Sequence, residues 1–281
     1  MSAAMNTEPS AAVAAGTNAG VIGMASSLPL LSVQDLTKTF PGQRKDRKLV
    51  IKNVSLDLAP GEFVSVIGPS GCGKSTLFQL LAGLLRADEG TVTYNGPPTK
   101  GPFSAYMPQK DLLMPWLKAK DNAALGLTLG GMGKGEARKK VEDLLGTFRL
   151  EGYAEAYPFE LSGGMRQRVA LLRTMVMERP IMLLDEPFGA LDYLTRTELQ
   201  LWLSGICAEL GLSTILITHD VPEALLLSDR VYVLSPRPAE VRMVLELPDA
   251  RPRTLDYMET EEFTRLERVL LNELTHSIQS A

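Results

Sequence analysis

Nine consecutive residues, Gly68-Pro69-Ser70-Gly71-Cys72-Gly73-Lys74-Ser75-Thr76, constrain this chain more than any other stretch. They fit the pattern G-x-x-x-x-G-K-[ST]. The apolar run Phe63-Val64-Ser65-Val66-Ile67 precedes them and Leu77-Phe78-Gln79-Leu80-Leu81 follows, so the order is strand, glycine loop, helix. Glycines allow backbone N–H groups to turn toward phosphate oxygens, and the helix N-terminus adds a dipole that favours an anion. In that setting Lys74 reaches the terminal phosphates and the Ser75 hydroxyl ligates Mg²⁺. The stretch predicts a nucleoside triphosphate site on an α/β scaffold.

A second element strengthens the prediction. Ile181-Met182-Leu183-Leu184-Asp185-Glu186 is an apolar strand ending in two carboxylates. The first, Asp185, is placed to hold Mg²⁺ through water, and Glu186 to polarise an attacking water. A buried strand with two solvated acids at its exit is the bland alternative, and the loop upstream argues against it.

Elsewhere the pattern alternates. Strands are predicted at Leu31 to Phe40, Val50 to Leu58, Glu62 to Ile67, Thr91 to Tyr94 and Ser104 to Met107. Pro60-Gly61 and Asn95-Gly96-Pro97-Pro98 mark turns. From about 112 to 178 the period becomes helical, with an apolar stripe at Ala137, Val141, Leu144 and Leu145. From Ile181 onward strands at 181–185, 213–217 and 230–234 alternate with helices near 193–210 and from Pro222. This is the mark of a parallel sheet with crossover helices. Phe263, Leu266, Val269, Leu270 and Leu274 predict a final amphipathic helix that either packs on the core or regulates it.

Composition narrows the class. Net charge is −4, which argues against nucleic-acid binding driven by phosphate neutralisation. The dense basic run Arg44-Lys45-Asp46-Arg47-Lys48 reads as a solvated hairpin loop or as a contact for lipid headgroups. Two scattered cysteines and two histidines offer neither a disulfide framework nor a zinc site. Residues 1–27 carry one charged side chain, Glu8, and read as a disordered extension rather than a signal peptide. No stretch approaches the length of a membrane span.

Leu161-Ser162-Gly163-Gly164-Met165-Arg166-Gln167-Arg168 resembles the signature motif of ABC-type ATPases. Taken alone it is also an ordinary Ser-Gly-Gly helix start. The resemblance covers about residues 28–250, with a tail at 251–281, and implies a RecA-like P-loop core. To the core it adds an N-terminal antiparallel β subdomain and a helical subdomain at about 110–178. It further implies ATP and Mg²⁺ as ligands, and Gly68, Pro69, Ser70, Gly71, Cys72, Gly73, Lys74, Ser75 and Thr76 as the nucleotide cradle. Gln109 resembles the glutamine that contacts Mg²⁺ and senses a membrane partner. By the same resemblance His219, in Ile217-Thr218-His219-Asp220, is the switch residue for the γ-phosphate, and Phe40 is either the adenine-stacking aromatic or simply core.

The family completes its site by head-to-tail dimerisation. Leu161, Ser162, Gly163 and Gly164 of one chain then cap the nucleotide of a second copy, and Asp192 of Gly189-Ala190-Leu191-Asp192 crosses the interface. The same resemblance implies ATP hydrolysis coupled to transport at the cytoplasmic face of the cell membrane, a permease partner, a solute-binding protein reached indirectly, and no nucleic acid. Phe188 and Ala190 are similar to importer ATPases; exporter relatives more often carry Thr and Asn there. Leu234-Ser235-Pro236-Arg237-Pro238, with Leu247-Pro248 and Arg251-Pro252-Arg253, resembles the nitrate, sulfonate and taurine branch, which includes transporters of thiamine-precursor pyrimidines. Asp111-Leu112-Leu113-Met114-Pro115-Trp116 reads as helical core or as a groove for a permease helix. An exporter ATPase and a soluble non-transport ABC ATPase remain the alternatives.

Overall fold

The computed structural model describes residues 28–42 and 47–279. The predicted N-terminal extension and most of the basic run at 44–48 lie outside those residues. Two sheets organise the chain. The first joins β1 (Leu31–Pro41), β2 (Arg47–Leu58) and β4 (Glu89–Tyr94) antiparallel, in the order β2-β1-β4. A second sheet has the order β5-β6-β7-β3-β8-β9, from β3 (Phe63–Ile67), β5 (Ser104–Met107), β6 (Ile181–Asp185), β7 (Ser213–Ile217), β8 (Arg230–Leu234) and β9 (Val241–Glu246). All its pairings are parallel except that of the edge strand β9.

Strands β3, β6 and β7 are buried at every position. That matches continuous apolar runs covered on both faces rather than an alternating pattern. Their side chains divide between two cores. Met182, Leu184 and Leu216 face a cluster built with α2 (Ala119–Leu129), α3 (Lys134–Glu142), α4 (Gly163–Met175) and α5 (Tyr193–Glu209). Ile181, Leu183, Val64 and Val66 face α1 (Lys74–Leu81) and the antiparallel sheet. Burying each such Leu or Ile contributes about 1.5–3 kcal/mol. A third cluster packs Phe263, Leu266 and Leu270 of α7 (Glu261–Gln279) on Ile67, Val231 and α6 (Val221–Leu227).

Most predicted elements appear in place, with three differences. The alternation of β1 fails after Val33, where register shifts accompany Asp35 at φ 50°. Helix α3 ends at Glu142, so Leu144 and Leu145 leave the predicted stripe and lie in the following turns, partly buried on the same core. Strand β9 was not anticipated, although its burial alternates at every residue as an edge strand with one covered face requires.

Parallel pairing sends the C-terminal ends of β3, β5, β6, β7 and β8 to one edge. The segments that follow them begin at Gly68, Pro108, Glu186, Thr218 and Ser235, and open αβ sheets bind ligands along that edge.

Candidate functional site

Between β3 and α1 the loop closes around its own lysine. Gly71 and Gly73 sit at φ 72° and 132°, where side chains are strained. Lys74 is buried, and its Nζ donates to the carbonyls of Gly68 at 2.7 Å and Pro69 at 3.1 Å. The ammonium therefore lies inside the cradle. Helix α1 has no side-chain cap and no acid in its first turn, which leaves its amide donors open to an external anion. A cavity of about 530 Å³ opens over this turn, lined by Ser70, Gly71, Gly73, Lys74, Ser75 and Thr76 and by Gln109, Glu186, His219 and Arg237.

Three segments meet at one carboxylate oxygen. Gln109 Nε2 donates to Glu186 Oε2 at 2.9 Å, and His219 Nδ1 lies 3.2 Å from the same atom. Glu186 adopts φ 46°, a conformation that costs a non-glycine residue on the order of 1–3 kcal/mol. Its amide is fixed on Ile217 O at 2.9 Å, so the strain is held by the end of β7. Asp185, one residue earlier, is buried and accepts from Tyr106 Oη at 3.2 Å. Burial raises its carboxyl above the ordinary range, opposed by hydrogen bonds from Ser75 and Tyr106. Ser75, Gln109 and Asp185 offer oxygen donors only, a set suited to Mg²⁺ shared with phosphate.

The turn bearing His219 has its own support. Thr218 Oγ1 donates to Glu223 and accepts from the Asp220 amide at 3.0 Å. Asp220 then caps α6 through the Glu223 amide. Full burial pushes the Glu223 carboxyl up to about 8, so it is protonated at neutral pH.

Residues 51–189 match the family described as ABC transporter. A taurine import ATP-binding protein, TauB of Pseudomonas aeruginosa, is 44% identical over 252 residues, which cover 86% of this chain and 95% of the relative. The chain belongs to the ABC transporter family. An aliphatic sulfonates import ATP-binding protein, SsuB of Bacillus licheniformis, is 42% identical over 82% of this chain and 90% of its own. The nitrate import ATP-binding protein NrtC of Synechococcus elongatus is 42% identical over 86% of this chain, but the match spans only 38% of that longer protein. Among solved structures, the dimeric bacterial ABC transporter cassette MJ0796 superposes with a TM-score of 0.67 at 30% identity, covering 78% of this chain and all of that one. The same cassette has been solved as a dimer in a post-hydrolysis state with ADP and Pi, with the same TM-score.

The remaining expected residues do not line the cavity. Gly68, Pro69 and Cys72 belong to the loop without lining the cavity; a Cβ at Gly68 would lie 3.1 Å from Leu234. Leu161, Ser162, Gly163, Gly164 and Asp192 do not line it at all. Ser162 caps α4 by accepting from the Met165 amide at 3.2 Å, and Asp192 caps α5 by accepting from Thr195 at 3.1 Å. Gly164 has no room for a side chain, since a Cβ there would lie 2.7 Å from Thr195 Cγ2. Phe40 is half-buried against the core of the antiparallel sheet, with Lys38 Nζ 5.7 Å from its ring centre, and is not a lining residue.

The segment after Gln109 divides as well. Leu113 is buried, whereas Leu112 and Trp116 are exposed, and Arg173 of α4 holds the carbonyls of Asp111 and Leu112. The sequence assigns no site role to Tyr106, Glu223 or Arg237, although Arg237 lies in the 234–238 run quoted above. Tyr106 stands three residues before Gln109 and is the one position of β5 that is not fully buried.

Proposed function

We propose that this chain is the ATP-hydrolysing subunit of an importer for a small solute of the nitrate, sulfonate and taurine class. The observation that carries the reading is the convergence of Gln109, Glu186 and His219 on one oxygen beside the phosphate-binding loop. The names of the relatives support the importer class and the solute range.

In this reading Lys74 leaves the Gly68 and Pro69 carbonyls for the β- and γ-phosphates of ATP. The open amides of α1 take the phosphate oxygens. Ser75, Gln109 and Asp185 would hold Mg²⁺, which would neutralise phosphate charge. Glu186 orients the attacking water as general base, and His219 donates to the γ-phosphate as charge builds there. Protonated Glu223 keeps the Thr218–His219–Asp220 turn in place. Phe40 packs beside the adenine at the edge of the antiparallel sheet.

A second copy supplies Leu161, Ser162, Gly163 and Gly164, with Asp192 crossing the contact, so that two ATP molecules join two chains head to tail. Hydrolysis removes the shared phosphate contacts and the dimer opens. Exposed Leu112 and Trp116 offer apolar surface next to Gln109 for a cytoplasmic helix of the permease. Among the described residues no helix is long and apolar enough to cross a membrane. The chain works peripherally at the cytoplasmic face, within a 28–250 ATPase domain whose helical part spans about 110–178, followed by the tail at 251–281.

Reconstitution with its permease in liposomes tests this. ATPase activity is expected to rise when one solute-loaded binding protein is added. Robust turnover unmoved by permease or by any binding protein would contradict the importer reading.

A further inference from the structure

The loop between β8 and β9 is absorbed by none of the roles above, yet it touches the phosphate-binding loop directly. Arg237, exposed at its tip, donates from Nη2 to the carbonyl of Gly71 at 2.6 Å and lines the same cavity. Lys74 and Arg237 are the only Lys or Arg side chains among the described residues that line it. The charge of Arg237 is felt inside the loop. Burial pushes the Cys72 thiol up, while Lys74 and, more weakly, Arg237 pull it down.

The backbone that carries Arg237 is held from both sides. Ser235 Oγ lies 2.9 Å from the carbonyls of both Pro236 and Pro238, its one O–H shared between them, and accepts from the Glu240 amide at 2.9 Å. Ala239 donates to Val50 O and accepts from the Lys52 amide, both at 2.9 Å, which straps the loop to β2. The same Val50 and Ile51 press on Gly73, where a Cβ would lie 3.0–3.1 Å from their side chains. A guanidinium on a fixed backbone therefore stands over a cradle already built for anions, with one short bond holding it to a carbonyl. Lys74 makes the same kind of carbonyl contact, to Gly68 and Pro69.

We propose that Arg237 is a second phosphate-binding cation of this site, moving from the Gly71 carbonyl onto the phosphate tail of the nucleoside triphosphate. The inference rests on the ATPase reading and extends it to a residue outside the segment that matches the family. A planar fork suits phosphate oxygens better than a point charge, but charge supplies most of the attraction.

Titration of the full chain with a fluorescent ATP analogue in the absence of Mg²⁺ tests it, comparing wild type, Arg237→Gln, Arg237→Lys and Lys74→Ala. Melting of each nucleotide-free protein serves as the folding control. Arg237→Gln is expected to melt like wild type and to bind about five- to tenfold more weakly, the range for losing one partly solvated charge-assisted contact. Arg237→Lys is expected to recover most of that loss. Wild-type affinity in Arg237→Gln, or a Lys variant as weak as the Gln variant, would overturn the inference alone. Failure of the wild type itself to bind, matching Lys74→Ala, would overturn the ATPase reading and the inference with it.

Discussion

Two helix starts in this chain have similar glycine-rich sequences and opposite states. At α1 the preceding residue is Gly73, no side chain caps the first turn, and the amides are open beneath a cavity. At α4 the first turn is capped by the hydroxyl of Ser162, and Gly164 is there because Thr195 leaves no space for a side chain. On the proposed reading the first takes the phosphates of ATP. The second has its Met165 amide capped by its own serine and does not line that cavity; on the same reading it meets the nucleotide of a second copy. Half a site at each end of one molecule is what a head-to-tail pair would join.

The largest expected effect lies at the α1 end. Glu186→Gln keeps the shape and the hydrogen bond to Gln109 but removes the base, so turnover should fall by roughly 10²- to 10⁴-fold. ATP binding should persist, and the variant should elute as a dimer in ATP on size exclusion. Wild-type turnover would remove Glu186 from its role. At the α4 end Ser162→Ala should cost about 1 kcal/mol of stability through the lost cap. It should also lower turnover about tenfold, the effect of losing one hydroxyl contact to the γ-phosphate, while leaving ATP affinity of the isolated chain unchanged. A drop in that affinity would place the turn in the chain's own site and erase the contrast between the two helix starts.

The smallest effect concerns the support beneath His219. Glu223 holds its proton up to about pH 8 in the folded chain, whereas an unfolded Glu releases it near the ordinary 4.5. Between those values the folded state binds more protons than the unfolded one. This contribution to stability is thus full below about pH 4.5 and is lost as pH rises through about 8. Asp220 adds to the raised value and Arg196 works against it. Melting curves across that window should decline for wild type and flatten for Glu223→Gln. Parallel declines would show that the carboxyl is ionised in the fold.

Much of this was legible from short apolar runs. Strands β5, β6 and β7 were read to the residue because a continuous run bounded by turns leaves little choice of register. In Val241-Arg242-Met243-Val244-Leu245-Glu246 the alternation is broken by the apolar Val244, which the strand exposes, so sequence pattern alone does not mark β9. Helix α3 stops at Glu142 because the amides of Leu144 and Leu145 bond three residues back, to Val141 and Glu142, rather than four, and apolar spacing carries no trace of that change. At the site, residue types announced Lys74, Asp185 and Glu186. The left-handed backbone of Glu186 and the reach of Arg237 across to Gly71 depend on which strands become neighbours, and β3 beside β8 is set by topology rather than by local sequence.

A mixing experiment addresses the shared site most directly. Lys74→Ala disables one half and Ser162→Arg, a bulky change at an exposed position, the other, and each variant alone should be nearly inactive. In a mixed dimer one site combines both defects and the other combines two intact halves. Random pairing should therefore restore roughly a quarter of wild-type ATPase activity, since about half the dimers are mixed and each carries one intact site. A mixture no more active than its two components would contradict the account, because it would mean that each chain builds its catalytic site alone.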